Sequence, residues 1–593
     1  MLSSCLLRLT QLRKKLFDSK VEGVIISYGD RFKSGSPSER YQQLKWLTGF
    51  RGSAGFAVVL SEKAALFVDG RYTLQAMEQV DLGLFSVQPY SMDALQKWLK
   101  VNFQDGKTLL FDEWAQTVQQ ILNLENCLKT SGISLQSMDE SFLDEVWQDR
   151  PHDIKNNFKI FPEIFCGESF ESKLSKVINF INQKDAEVLM LTSAESASWF
   201  LNLRGEDTKY TPLCHLFCLI DRNKNVSVFV DLEKVTADIR SRYKNIKWFS
   251  FNVLNTVISS LERKTILVDF SYLPFALYQL LKRANTEIIS EVDPCLMGRA
   301  IKNVVEQEWS IKAHKSDGIA IINFLSWLDN NLKKRNITES EATEYLLSQR
   351  KRQENFLGDS FCTISAAGPH GAMIHYHPSA STDVAINNHN LYLFDSGGQY
   401  GGATTDVTRT IAVNDPTDEQ KENFTRVLKG HIALSTAVFP SNTTGHQLDV
   451  LARQFLWQVG LDFDHSTGHG VGSYLNVHEG PHGISKKFNT VPLQKNMLVT
   501  NEPGYYKNNE YGIRIENVMM VEACEGELSH MLRFRTVTLV PIDKKLVKIS
   551  ALSSLEIEWI NNYHGFVYQE LSHLIDKENQ EWLRVATDPI KII

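Results

Sequence analysis

The chain has 593 residues, too many for one hydrophobic core, so about two to four domains are expected. Its 43% hydrophobic and 22% charged residues describe a folded globular chain rather than a disordered one. A net charge of −7 argues against a dedicated nucleic-acid binder, and no apolar run approaches the roughly 18 residues of a membrane span. The eight cysteines stand singly with no CxxC pair, a pattern that fits reduced thiols and a cytoplasmic location.

At the N-terminus, Arg8, Arg13, Lys14 and Lys15 precede the first acidic residue, Asp18, as they would in an organelle-targeting peptide. Against that reading, Leu6, Leu7, Leu9, Leu12 and Leu16 fall at helical spacing and lead straight into the strand-like VEGVIIS, so the first helix of a folded domain is expected. A unit then occurs twice. EGVIIS (22–27), a helical stretch ending in WLTGFRG (46–52), FAVVL and ALFVD form the first copy. EVLMLT (187–192), WFLNLRG (199–205), LFCLI and VFVD form the second. Each copy reads as strand, helix, an aromatic turn closing on Arg-Gly, and a hairpin, giving two related α/β domains over 1–150 and 151–295. Arg51 and Arg204, in the aromatic turns, are candidates to reach a site elsewhere, and Cys214 and Cys218 read as buried apolar positions.

The third region, 296–593, opens with the amphipathic helical run IKNVVEQEWSIKAHKSDGIAIINFLSWLDNNL, with a break expected around Ser316-Asp317-Gly318. A helix is predicted to start at Thr417, with Gln420 completing a capping box, and another to run from about Gly445 to Gly460. LYLFDSG (391–397), TTDVTRTIAV (404–413), MLVTNEPG (497–504) and GIRIENVMMV (512–521) read as strands, which makes this an α+β domain.

The chemistry lies on those strands. Asp395 ends an apolar strand, and Asp406 shares a strand face with Thr408 and Thr410. Glu502 follows MLVTN, and Glu516 shares a face with Arg514. One carboxylate in an apolar strand is most simply a buried salt bridge. Four of them, together with the histidines of HSTGHGVGSYLNVHEG (465–480), exceed what Arg409 and Arg514 can neutralise, whereas two divalent cations balance them. One imidazole and four carboxylates form a hard, oxygen-rich set that points to Mn²⁺ rather than to a thiolate zinc site.

The motifs IHY (374–376), FDSGGQY with TTDVTRT, STGHGVGSYLNVHEGP, NEPGYY and GIRIEN resemble the pita-bread metallopeptidases, and within them the Xaa-Pro aminopeptidase (aminopeptidase P) family. WLTGFRGSAG, VDGRYTLQA and the tail WLRVATDPI resemble its long, three-domain form, in which two creatinase-type α/β domains precede the catalytic domain. The resemblance implies two divalent metal ions, Mn²⁺ first with Zn²⁺ or Co²⁺ as substitutes. Their ligands would be Asp395, Asp406, His469, Glu502 and Glu516. Asp406 and Glu516 would bridge the ions, Asp395 would bind one, and His469 with Glu502 the other. It also implies that His375 and His478 act on the scissile peptide and that Glu502 shuttles a proton. His465 and Arg514 would bind substrate, while His370, His377 and His482 remain ordinary loop histidines. The expected reaction is hydrolysis of the N-terminal Xaa-Pro bond by a metal-bridging hydroxide, in a cytoplasmic homodimer with no nucleic-acid or membrane partner. A prolidase acting on dipeptides, a metal-free creatinase-like hydrolase and a non-catalytic peptide-binding module are the alternatives; retention of every ligand position disfavours the last two.

Overall fold

The computed structural model describes residues 4–103, 107–139 and 141–591. It divides into two compact units: Met1–Pro162 with Glu168–Leu296, and Glu163–Gly167 with Met297–Ile593. Among the described residues no helix is long and apolar enough to cross a membrane.

In the first unit the repeat seen in sequence becomes a repeat of topology. One six-stranded sheet is ordered Ser86–Pro89, Ala64–Val68, Phe56–Leu60, Gly23–Ser27, Thr108–Phe111, Ser134–Ser137. The other is ordered Ile246–Phe249, Val226–Phe229, Phe217–Asp221, Val188–Leu191, Thr265–Val268, Glu287–Ser290. In both, the first strand pairs antiparallel with its following hairpin (Val24 with Val59, Met190 with Leu219) and parallel with a strand that returns after it (Val24 with Leu110, Leu189 with Leu267). Helix Ser4–Asp18 buries Leu9, Leu12 and Leu16 and leaves Leu7 half exposed, as its spacing predicts for a helix packed on a core. Arg204 is buried; its guanidinium donates to the Ser198 and Leu203 carbonyls and lies 4.1 Å from the Phe161 ring centre. Cys214 and Cys218 are fully buried.

The second unit is antiparallel throughout its named ladders. A three-stranded sheet is ordered Ile364–Ala367, Leu391–Ser396, Val407–Ala412. A six-stranded sheet is ordered Val438–Pro440, Met531–Thr536, Asn517–Ala523, Leu498–Asn501, Gly468–Gly470, Glu479–Ile484. A hairpin of Gly504–Lys507 and Tyr511–Arg514 forms a further ladder. The expected helices are present: Asp418–Ser435 starts after Thr417, whose side chain and that of Gln420 form the capping box, and Gly445–Trp457 is followed by Gly460 at φ +73°.

Three expectations need correction. The opening helix runs unbroken from Val304 to Leu332. Gly318 is no break: a Cβ there would lie 2.6 Å from the Leu539 carbonyl oxygen and 3.0 Å from a Leu571 methyl, so the glycine lets other chain segments close on the helix. The strand read as 512–521 is two strands in two ladders, Tyr511–Arg514 and Asn517–Ala523, with Ile515 and Glu516 between them. Likewise Asp406 stands just before Val407–Ala412 rather than within it, and Glu502 just after Leu498–Asn501.

Helix propensity alone favours Gly318→Ala by about 1 kcal/mol. The close approach of Leu539 predicts the opposite, a loss of about 1–3 kcal/mol from overpacking. A higher denaturation midpoint for Gly318→Ala would contradict the packing account.

Candidate metal centre

Each carboxylate of the site lies where a strand ends, starts or breaks, and backbone bonds hold those junctions together. Asp395 is the penultimate residue of its strand and pairs in register with Thr408 on one side and Ile364 on the other. The Glu516 amide donates to the Thr408 carbonyl at 3.1 Å, and the Glu502 amide to the Thr467 carbonyl at 2.8 Å. Gly468 permits one of the closest approaches: a Cβ there would stand 1.9 Å from the Thr500 carbonyl oxygen. That approach brings His469 onto the strand leading to Glu502, with the His469 amide donating to Thr500 Oγ1 at 3.0 Å.

The result is a convergence of donors. Ligand atoms of Asp406, His469 and Glu516 all lie within 4.8 Å of one another. His469 Nε2 is 3.6 Å from Asp406 Oδ2 and 3.4 Å from Glu502 Oε1. Asp395 Oδ2 accepts from Arg514 Nη2 at 2.7 Å, while its Oδ1 is buried with no hydrogen-bond partner. A buried carboxylate oxygen without a partner costs free energy that a cation would recover.

The charges are uncompensated by protein alone. Arg409 donates to the carbonyls of Thr408, Glu516, Val540 and Pro541 and to Asn517 and Tyr563; none of these bonds goes to a carboxylate. Only Arg514 of the two forms an ion pair with the cluster. Burial and the nearby Glu516, Asp395 and Glu502 carboxylates push the Asp406 acid well above its usual range, and burial with Glu502 and Asp395 does the same to Glu516. Burial pulls His469 down to about 4, so its imidazole is neutral near pH 7. Its Nδ1 lies 2.9 Å from the Gly470 carbonyl, which fixes the proton there and leaves the Nε2 lone pair facing the carboxylates. A neutral imidazole facing carboxylates suits a divalent cation: Asp406, His469 and Glu516 converge, Glu502 lies beside His469, and the Asp395 charge acts on Asp406 and Glu516.

The remaining expected residues differ in what they contact. The His478 ring packs edge-on against His469 at 4.3 Å between centres. Half-buried His375 follows Ile374, whose carbonyl accepts from Arg514 Nη2 at 3.4 Å. His465 Nε2 accepts from the Tyr506 hydroxyl at 2.8 Å, and its Nδ1 lies 2.8 Å from the Ser466 carbonyl. Arg514, expected at the substrate, is buried, and its donors are committed to Asp395, Thr408 Oγ1 and Tyr506. Through these bonds it orients one carboxylate and one phenol. The sequence gives no sign of the parts played by Tyr506 and Thr408. Tyr506 lies inside NEPGYY, but nothing local shows that its hydroxyl bridges Arg514 and His465. Thr408 Oγ1 donates to Glu516 Oε2 at 2.8 Å, a contact made across 108 residues. His482 is not a loop residue: it is buried in strand Glu479–Ile484, 2.7 Å from the Leu498 carbonyl. His370 pairs with Glu339 at 2.8 Å and stacks on Tyr376.

Comparison with known proteins covers nearly the whole chain. Residues 308–523 match the model for metallopeptidase family M24, and 530–590 match the C-terminal region of peptidase M24. Residues 8–144 and 149–306 each match a creatinase/prolidase N-terminal domain. Aminopeptidase P1 of Lotus japonicus is 33% identical, over 96% of this chain and 97% of its own. A probable Xaa-Pro aminopeptidase P of Aspergillus fumigatus is 36% identical, over 98% and 92%. The crystal structure of an X-prolyl aminopeptidase from Caenorhabditis elegans, described as a cytosolic enzyme with a di-nuclear active site, superposes with a TM-score of 0.94 at 31% identity, over 99% of this chain and all of that one. A Xaa-Pro dipeptidase from Bacillus anthracis shares the fold over only 63% of this chain, with a TM-score of 0.51 at 24% identity.

A carboxylate whose folded pKa is raised keeps protons that the unfolded chain has released, so its contribution to stability falls as pH rises above the ordinary carboxylate range. In metal-free protein, Asp406→Asn is therefore expected to melt above wild type at pH 7, with the gap closing toward about pH 4. Calorimetry in chelator reads this directly, and a lower melting temperature for Asp406→Asn at pH 7 would show that the cluster is not repulsive.

Proposed function

The chain belongs to the Xaa-Pro aminopeptidases of metallopeptidase family M24, and from that premise we propose that its centre holds two divalent cations and releases the first residue of peptides whose second residue is proline. The observation that carries this reading is the meeting of Asp406, His469 and Glu516 within 4.8 Å, beside Glu502 and the partnerless Asp395 oxygen. Asp406 and Glu516 would be shared by both cations, Asp395 would serve one, and His469 with Glu502 the other. The donor set is oxygen-rich with one imidazole, which favours Mn²⁺, with Zn²⁺ or Co²⁺ as substitutes. When bound, the cations would supply Lewis acidity, easing the deprotonation of water and polarising the scissile carbonyl.

The chain's own groups divide the remaining work. His478, against His469, and His375 are the candidates to donate to the developing oxyanion. Glu502, held by Thr500 Oγ1 at 3.1 Å, carries a proton to the leaving imino nitrogen. That nitrogen has no hydrogen of its own while in the peptide, because the proline ring occupies the position. His465, fixed by Tyr506, lines the proline pocket, and Arg514 holds Asp395 and Tyr506 in place rather than binding the peptide. The three-part organisation 1–150, 151–295 and 296–593 belongs to this reading, as do a homodimer and a cytoplasmic location. Sedimentation of a single species near 67.6 kDa would remove the dimer.

Full-length similarity to the aminopeptidases favours them over prolidase, and peptide length tests the choice. Arg-Pro-Pro and its C-terminally amidated form are expected to be cleaved at least as well as Arg-Pro, and Arg-Ala-Ala poorly. Chelation should abolish turnover and Mn²⁺ restore it better than Mg²⁺ or Ca²⁺. Hydrolysis confined to Arg-Pro makes the protein a prolidase, and full turnover without metal ends the metal reading. His478→Ala and His375→Ala should keep two ions while kcat falls on the order of 10²–10³. Loss of metal in either variant would move that histidine into the ligand set.

A further inference from the structure

Behind the centre lies a buried ion pair that the reaction does not use. Asp317 sits in the middle of helix Val304–Leu332 and Arg350 at the end of helix Glu339–Arg350, with side chains 4% and 0% exposed. Arg350 grips Asp317 with Nε at 2.7 Å and Nη2 at 3.2 Å. The same carboxylate accepts from the Tyr400 hydroxyl at 2.9 Å and from Thr405 Oγ1 at 3.0 Å, and Arg350 Nη2 also donates to Ser396 Oγ at 3.0 Å. Ser396 is the residue after Asp395, and Thr405 the residue before Asp406. One ion pair thus holds the neighbours of two expected ligands.

The chain between those neighbours folds back so that its ends meet. Thr405 Oγ1 accepts from the Gly398 amide at 2.8 Å, and the Thr405 amide donates to the Gly398 carbonyl at 2.9 Å. Ser360 donates from Oγ to the Thr405 carbonyl and from its amide to the Gly397 carbonyl. A Cβ on Gly397 would stand 1.9 Å from the Thr405 carbonyl oxygen. A buried ion pair is weak as a source of stability, since well-packed apolar side chains serve as well or better. What apolar side chains lack is direction, and here the pair bonds to the hydroxyls of Ser396 and Thr405, the residues next in the chain to Asp395 and Asp406.

We propose that Asp317 and Arg350 are positioning residues that set the separation of Asp395 and Asp406, and thereby the affinity of the centre for its cations. This rests on the reading of the centre as a two-cation site. Removing a group that orients a ligand costs about 10–100-fold in metal affinity. Thr405→Val, which keeps the shape and deletes the hydroxyl, is expected to weaken Mn²⁺ binding by about that factor, measured by calorimetric titration against a competing chelator. Thr405→Ser should restore it, and Ser396→Ala should weaken it less. At saturating Mn²⁺, kcat should recover with KM unchanged. A fall in the metal-free melting temperature with an unchanged Mn²⁺ constant would make the network merely structural and overturn the proposal, as would wild-type affinity in both Thr405→Val and Ser396→Ala. Should Thr405→Val fail to fold, Ser396→Ala is read by the same criterion. Wild-type protein that binds no divalent cation would overturn the function reading and this inference with it; wild type that binds two, with variants that bind as well, overturns this inference alone.

Discussion

Four carboxylates that are buried or nearly so share one small volume with a single guanidinium, and that imbalance is the constraint the second unit is arranged around. Placing like charges together in a poorly hydrated site is costly, and burial raises the cost. The arrangement persists because backbone hydrogen bonds and packing from every side hold it: the Thr408 carbonyl takes the Glu516 amide, and the Thr467 carbonyl takes the Glu502 amide. Arg409 illustrates the division of labour. Its charge lies beside the cluster, yet its donors go to four carbonyls, Asn517 and Tyr563, so it pins the backbone below Glu516 and leaves the carboxylate unneutralised.

The same economy governs the strand ends. A carboxylate in the middle of a ladder points to one face at a spacing the pleat dictates, whereas one at a break can be aimed independently of it. Asp406, Glu502 and Glu516 all lie just outside named strands. Their neighbours supply the direction: Thr408 holds Glu516, Thr500 holds Glu502, and Arg514 holds Asp395. Close backbone approach makes this possible, as at Gly468 against Thr500 and at Gly512, where a Cβ would come within 1.7 Å of the Gly371 carbonyl oxygen. Larger residues at these positions would separate the segments that carry the ligands.

The histidines divide along lines of hydrogen bonding more than of position. His469 donates from Nδ1 to its neighbour's carbonyl and turns Nε2 to the carboxylates; His465 makes the corresponding bond to Ser466 but gives Nε2 to Tyr506. Two imidazoles four residues apart thus differ in what their second nitrogen meets. His431 is fully buried, between the Asn501 carbonyl and the Asn517 amide, and burial lowers it to about 3, so it is a neutral wedge behind the residues next to Glu502 and Glu516.

The sequence by itself determined what local chemistry can specify. The capping box at Thr417, the leucine spacing of the first helix and the doubled strand–helix–hairpin unit each depend on residues close together in the chain, and each is present in the structure. Carboxylates beside apolar strands stood out in the sequence too, because burying them is costly enough to need a reason. Only the tertiary structure decided the rest. What the glycine at 318 is for depends on the Leu539 carbonyl, 221 residues away. Whether 512–521 is one strand or two depends on which ladders accept its halves. What partners Asp395 Oδ2 depends on a contact with Arg514 across 119 residues. Such facts are invisible in the sequence because a side chain's partners are chosen by packing among distant segments, while composition and spacing record only what each residue is able to bond.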